Sequence, residues 1–313
     1  MNLVENISIE TGFFGKLPKF ADFVKLNATG TEISVVDNWL QEGLSLARLR
    51  YKNDWKNYYQ NSNKINFIFP FTGTDRVIVG NLFPSNDKSG RIFPFIFFTN
   101  FKKEIIKKLP LHLALLEFNG LFKYFESIFQ ANYNNENLNE MKSLLIGSAA
   151  TYLGQISLEN TYREFINDNS IGNIFSLSEE DENNFENNSL NELFNKKISY
   201  LENAPGIRFS FYIEDENESL KLCFITELLL KYYLRNDNTP ALFWSRSGEN
   251  EILLFIYFQK PTSSNFLDLF YSEGKLNQNL SKRTENIFKE SINIDAETTL
   301  KEVLISINNN NYT

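Results

Sequence analysis

The side chains that could do chemistry are few. His112 is the one histidine and Cys223 the one cysteine in 313 residues. A Ser-His-Asp or Cys-His arrangement needs His112 beside a nucleophile, and no Gly-x-Ser-x-Gly elbow occurs. One cysteine excludes an internal disulfide and a cysteine-built zinc site, and one histidine excludes a histidine-rich metal centre. No run of acids around a glycine has calcium-loop spacing. Gly73-Thr74-Asp75 and Gly147-Ser148 extend neither to a phosphate-cradling Gly-x-x-x-x-Gly-Lys-Ser nor to Gly-x-Gly-x-x-Gly. Glu179-Glu180 and Glu214-Asp215-Glu216 are the acid clusters from which carboxylate hydrolysis could be built. Both stand in polar runs, where a solvated face is the default. The expectation is no catalytic residue, no cofactor and no metal site.

Other charges stand in more telling surroundings. Lys16 and Asp22 fall within Gly12-Phe13-Phe14-Gly15-Lys16-Leu17-Pro18 and Phe20-Ala21-Asp22-Phe23. Asp87 and Arg91 fall in the turn Pro84-Ser85-Asn86-Asp87-Lys88-Ser89-Gly90-Arg91, which joins the apolar runs 77–82 and 92–98. Acids and bases recurring in otherwise apolar turns predict at least one internal ion pair among Arg91, Asp22 and Asp87. Lys16 and Asp22 read either as a turn with its salt bridge or as an exposed contact site. The turn is expected near Lys16 and Asp22, holding the first strand against the strands that follow.

The elements that must position these residues follow from periodicity. Two glycines bracketing Phe13 and Phe14 suggest a bulge or a strand lying close against its neighbour. Ser34 to Asp37 has capping-box spacing, and Val36, Leu40, Leu44, Ala47, Tyr51, Trp55 and Tyr58 recur at helical spacing, which predicts one amphipathic helix of about six turns at 3.6 residues each. Trp39 and Trp55 flank that stripe and are expected to seal the core. Apolar runs at 65–71, 76–83 and 92–98 predict an antiparallel meander, with Pro94 marking an edge strand or bulge in the third. Pro110 opens a helix with an apolar face running to Ile128.

The Asn- and Glu-rich stretch 132–140 is a candidate boundary, giving an N-terminal domain at 1–135 and a C-terminal α/β part at 136–313 packed on it. Small residues between Gly147 and Gly154 sit in a more helical piece at 141–165, and the acidic stretch 179–192 reads as a flexible loop. Beyond it, 207–213, 241–244 and 252–258 read as strands, the last buried on both faces. Residues 222–234 and 265–270 read as helices, and the Asn-rich tail after Ile307 as frayed. The fold class is therefore α+β, an antiparallel sheet flanked by helices with a second mixed α/β part.

Composition narrows the class of partner. A 42% hydrophobic content with thirty Phe specifies a packed core, and a net charge of −8 disfavours nucleic-acid and anionic-lipid partners. The longest apolar runs are of strand length, so no membrane span is expected. The N-terminus lacks the charged and apolar regions of a secretory signal, and the expected location is cytoplasmic.

Taken in order, Gly12-Phe13-Phe14-Gly15-Lys16-Leu17-Pro18, Asp22-Phe23, Trp39-Leu40, Trp55, and Gly80-x-Leu82-x-Pro84-Ser85-x-Asp87-x-x-Gly90-Arg91-x-Phe93-Pro94 resemble the TagF (ImpM) family of type VI secretion accessory proteins. Residues 240–245 and 266–270 resemble the family's C-terminal part. The chain departs from the family at Ala21, where glycine is usual, and at Asn86 and Lys88. The resemblance implies an antiparallel sheet with helices on both faces, reminiscent of longin or profilin domains. It further implies a bacterial, non-enzymatic, post-translational repressor of type VI secretion assembly or firing. Its partner would be a secretion component such as the forkhead-associated (FHA) scaffold protein. Within the motif, Gly12, Gly15, Pro84, Gly90 and Pro94 are expected to shape backbone. Lys16, Asp22, Asp87 and Arg91 are expected to pair with one another or to face the partner. The alternatives are a structural baseplate or membrane-complex accessory subunit, and a carboxylate-based hydrolase.

Overall fold

Among the described residues nine strands form one sheet in the order β2-β1-β5-β4-β3-β8-β9-β7-β6, and every neighbouring pair is antiparallel. The computed structural model describes residues 10–71, 73–104, 109–146, 158–175, 198–200, 206–212, 217–233, 239–248, 250–270 and 297–310. The strands are β1 (Glu10–Gly15), β2 (Val24–Leu26), β3 (Ile65–Pro70), β4 (Arg76–Phe83), β5 (Phe95–Lys102), β6 (Ile198–Tyr200), β7 (Gly206–Tyr212), β8 (Ala241–Ser247) and β9 (Glu251–Tyr257).

Alternation along the strands sorts side chains onto two cores, one on each face. Phe13, Ile68, Val77, Val79 and Phe97 enter one core, while Phe14, Phe67, Phe69, Ile78 and Phe98 enter the other. Because both faces are covered, the central strands read in sequence as nearly unbroken apolar runs, as a two-sided sheet requires. Helices α1 (Thr31–Tyr51), α2 (Trp55–Gln60) and α9 (Ser263–Phe270) cover the second face. The first is covered by α3 (Leu111–Glu117), α4 (Asn119–Asn132), α5 (Leu138–Leu145), α6 (Leu158–Asp168), α7 (Ile171–Phe175), α8 (Glu218–Tyr233) and α10 (Leu300–Asn310). The sheet runs continuously from the N-terminal strands into the C-terminal ones through β3 and β8, with Phe67 opposite Phe243.

Several local expectations are corrected. The first helix starts at Thr31 with Gly30 at its cap, so Ser34 is an interior residue whose Oγ bonds back to the Gly30 carbonyl at 3.3 Å. It also stops at Tyr51, because Lys52 adopts φ 47° and turns the chain before α2 begins. The apolar spacing bridged that break since Trp55 returns to the same core, but the next buried position is Tyr59, and Tyr58, expected on the stripe, is exposed. The helix opened by Pro110 likewise divides at Phe118 into α3 and α4.

Pro94 lies before β5, whose ladder begins at Phe95, and β5 is flanked by β1 and β4; the edge strand on that side is β2, which the sequence reading did not identify. The tail beyond Ile307 continues as α10 to Asn310. The acidic stretch 179–192, the small-residue run 147–154 and the carboxylates Glu214, Asp215 and Glu216 lie outside the described residues.

Candidate functional site

The first motif loop leaves β1 at Gly15 and returns as β2 at Val24; the second leaves β4 at Phe83 and returns as β5 at Phe95. Because β1 pairs with β5, both loops emerge at the same end of the sheet and meet there. Asp87 is the centre of the meeting, buried to 1% exposure. Its Oδ2 accepts from Lys16 Nζ at 2.8 Å and from Arg91 Nε at 2.6 Å. Its Oδ1 accepts from the Ser89 amide at 2.9 Å, the Ser89 hydroxyl at 2.7 Å and the Arg91 amide at 2.9 Å. Burial by itself would push this carboxyl up, but the hydrogen bonds from Lys16, Ser89 and Arg91 overcome it and hold Asp87 well below the usual carboxylate range.

The joint is reinforced by main-chain bonds. Ser85 is buried and its hydroxyl donates to the Lys16 carbonyl at 2.6 Å, while its amide donates to the Tyr59 hydroxyl at 3.3 Å. The Lys88 amide donates to the Phe20 carbonyl at 2.9 Å, and Arg91 Nη2 donates to the Ala21 carbonyl. Arg91 Nη2 also stands 3.7 Å from the exposed Asp22 carboxylate. The ion pair expected within Arg91, Asp22 and Asp87 is thus formed by Arg91 and Asp87, and the strongest partner of Lys16 is Asp87.

The motif's remaining residues shape these loops. Gly15 takes φ 137°, and a Cβ there would meet the Pro94 carbonyl oxygen at 2.2 Å, so the two strands approach as closely as glycine allows. Gly80, mid-strand in β4, packs so tightly on β5 that a Cβ would stand 2.0 Å from the Phe97 carbonyl oxygen. Gly12 lies against the Leu26 carbonyl, and Gly90 closes the turn with its amide on the Asp87 carbonyl at 2.9 Å. Pro18 lies in the turn closed by the Phe20 amide on the Leu17 carbonyl, and Pro84 precedes Ser85 where β4 ends. Phe93 is buried beneath Phe23, ring centroids 4.8 Å apart and edge-on. Trp39 and Trp55 are core residues of the second face. Trp39 Nε1 donates to the Thr262 carbonyl at 2.7 Å, and Arg48 stacks over Trp55 at 4.8 Å. Ala21 does not take a positive φ, so alanine is accommodated there without strain.

Two participants were not singled out from the sequence. Ser89 follows Asp87 by two positions, the spacing at which an aspartate accepts from the backbone ahead of it, and that signal was legible. Tyr59 was not, since only the tertiary packing of α2 brings its hydroxyl to Ser85.

A second polar cluster joins α3, α6 and α8. Tyr162 donates to Glu227 Oε2 at 2.6 Å, Lys231 Nζ lies 3.0 Å from Oε1, and His112 Nε2 lies 3.6 Å from Oε2. Burial, with Lys231 adding to it, lowers the His112 pKa against the opposing pull of Glu227. Burial likewise pushes the Tyr162 hydroxyl and the Cys223 thiol up, and the thiol donates to the His112 carbonyl at 2.9 Å. A thiol held protonated in this way is a poor nucleophile. Among the described residues no group of three His, Cys, Asp or Glu is placed to hold a metal ion, and no helix is long and apolar enough to cross a membrane.

Fold and joint together define an α+β protein whose two-sided sheet carries a charge-locked pair of loops at one end. Residues 12–145, which contain both loops, match the TagF N-terminal domain, type VI secretion system-associated. No curated protein matches the chain. Among solved structures, the crystal structure of PA0076 from Pseudomonas aeruginosa PAO1 is similar at 17% identity and a TM-score of 0.49, covering 85% of this chain and 96% of that one.

Proposed function

We propose that the protein is a cytoplasmic, non-enzymatic regulator of type VI secretion, a post-translational repressor of assembly or firing that acts by binding a secretion component such as the forkhead-associated scaffold. The observation that carries this reading is the state of Asp87. Its two oxygens accept five hydrogen bonds, and Lys16, Ser89 and Arg91 hold it ionised. A carboxylate so committed cannot exchange a proton near neutral pH as a general acid or base must. What it can do is fix the relative position of two loops, and preorganised loops are what a recognition surface needs.

The test is made in a strain with an active secretion system. Removing the protein should raise release of a secretion substrate, and overproducing it should suppress release. Unchanged release in both directions overturns the repressor reading. Stoichiometric recovery of the protein with purified baseplate or membrane complex would instead mark it as a structural subunit.

A further inference from the structure

We propose that β2 and the residues beside it form a docking edge for an acidic, extended segment of a partner protein, which adds to the sheet as a further strand. The proposal rests on the reading of the protein as an interaction partner and names the chemistry of what it binds.

Among the described residues β2 has β1 as its one strand neighbour, and it stands at the end of the strand order. An open strand edge offers amides and carbonyls that an extended peptide satisfies in full. Next to it stands Phe23, 48% exposed yet held in place, with Phe93 packed edge-on at 4.8 Å and Lys16 Nζ 5.2 Å from the ring centroid. Val24 is buried while Phe23 and Lys25 are exposed on either side of it, so apolar and cationic groups alternate with the core along this edge.

The charge around this edge is opposite to that of the whole. Residues 16–26 and 84–92 carry five basic and two acidic side chains, against 31 and 39 in the full chain, so this end is cationic on an anionic protein. Asp87 is consumed inside the joint by Lys16 and Arg91, and Lys19 stands 3.6 Å from Glu136, while Lys25 and Lys88 reach solvent beside the exposed face of Arg91. The bond from the Lys88 amide to the Phe20 carbonyl keeps the two loops, and therefore these charges, together. Acidic side chains flanking an apolar one complement this arrangement. A strand edge favours a peptide over a nucleic acid, whose backbone cannot extend a ladder, and the net charge of −8 repels a long polyanion.

The test uses fluorescence anisotropy on the full chain with three labelled probes: a synthetic peptide of alternating glutamate and valine, its lysine–valine counterpart, and a single-stranded RNA of mixed sequence. The glutamate–valine peptide should bind and weaken with added salt. Lys25→Glu combined with Lys88→Glu should weaken it about tenfold, as reversal of two surface charges allows. Lys123→Glu, on the helix covering the opposite face, should not. Failure of the wild-type chain to bind this peptide, equal binding by the double variant, or preference for the lysine–valine peptide or the RNA each overturns the proposal. Titration with the forkhead-associated scaffold separates the two readings. No complex with the wild-type chain sinks that choice of partner, while equal binding to wild type and double variant sinks the docking edge.

Discussion

Lys16 and Asp87, 71 positions apart in the chain, meet at 2.8 Å with side chains 9% and 0% exposed. A pair this buried is held by geometry on both sides: Arg91 and Ser89 satisfy the carboxylate's other sites, and Ser85 holds the Lys16 backbone. Breaking one partner leaves a buried, uncompensated charge, which is far more costly than the pair's net worth.

Asp87→Asn should therefore lower the unfolding free energy by about 3–5 kcal/mol, the usual cost of orphaning a buried charge. Lys16→Met combined with Asp87→Asn should cost less than the two single changes summed, since the second change no longer breaks the pair. Urea unfolding of wild type, both single variants and the double variant checks this. Strict additivity of the single effects would show that the two residues are not coupled.

Acid should weaken the fold through the same residue. The folded-state pKa of Asp87 is depressed, so its contribution is full above the unfolded carboxyl value of about 4 and is lost as pH falls further toward the folded value. Denaturation midpoints measured from pH 7 down to pH 2 should decline below about pH 4, and the decline should be shallower in Asp87→Asn.

Arg91 is 59% exposed in its side chain, yet its Nε–H is spent on Asp87 and its Nη2 on the Ala21 carbonyl. Arg91→Ala should cost about 1–3 kcal/mol, the range for hydrogen bonds to charged groups, without unfolding the protein. Arg91→Lys should recover little, because an ammonium lacks the planar fork that reaches both acceptors. Unfolding curves for the three proteins decide it.

Gly80→Ala should destabilise more than Gly90→Ala. A Cβ at Gly80 would collide with the Phe97 carbonyl inside the β4–β5 ladder, whereas at Gly90 it meets nothing within 4 Å and suffers only the strain of φ 77°. The second cost is of order 1 kcal/mol. Equal losses in thermal melts would contradict the close approach of the strands.

His112 titrates as the one histidine, so its NMR signal is unambiguous. Burial depresses its pKa below the unfolded value of about 6.5, and the stability it confers as a neutral ring is lost as pH falls through that window. The imidazole signal should titrate below about 6.5. A midpoint above that value would mean that Glu227, 3.6 Å away, outweighs burial.

Much of this architecture was legible because local pattern and tertiary structure agree. The run 76–83 coincides with β4, residues 252–258 with the doubly covered β9, and the paired glycines with the close strand approach at Gly12 and Gly15. An ion pair within Arg91, Asp22 and Asp87 was legible because charges in apolar turns need partners, though not which acid Arg91 would take at close range. What was not legible depends on geometry without a local signature. Lys52 breaks the first helix through a backbone angle, Trp55 in α2 keeps the apolar spacing across that break, and β2 is too short for alternation to appear. Lys16 chose Asp87 over the nearer Asp22 because strand pairing, invisible locally, brings the β4–β5 turn beneath it.

Whether the locked loops serve recognition is decided by calorimetric titration of the purified forkhead-associated scaffold into the wild-type chain and into folded Asp87→Asn. The wild type should form a saturable complex and the variant, whose two loops are no longer locked, a weakened one. No heat of binding with the wild type, or identical affinities for both proteins, would contradict it.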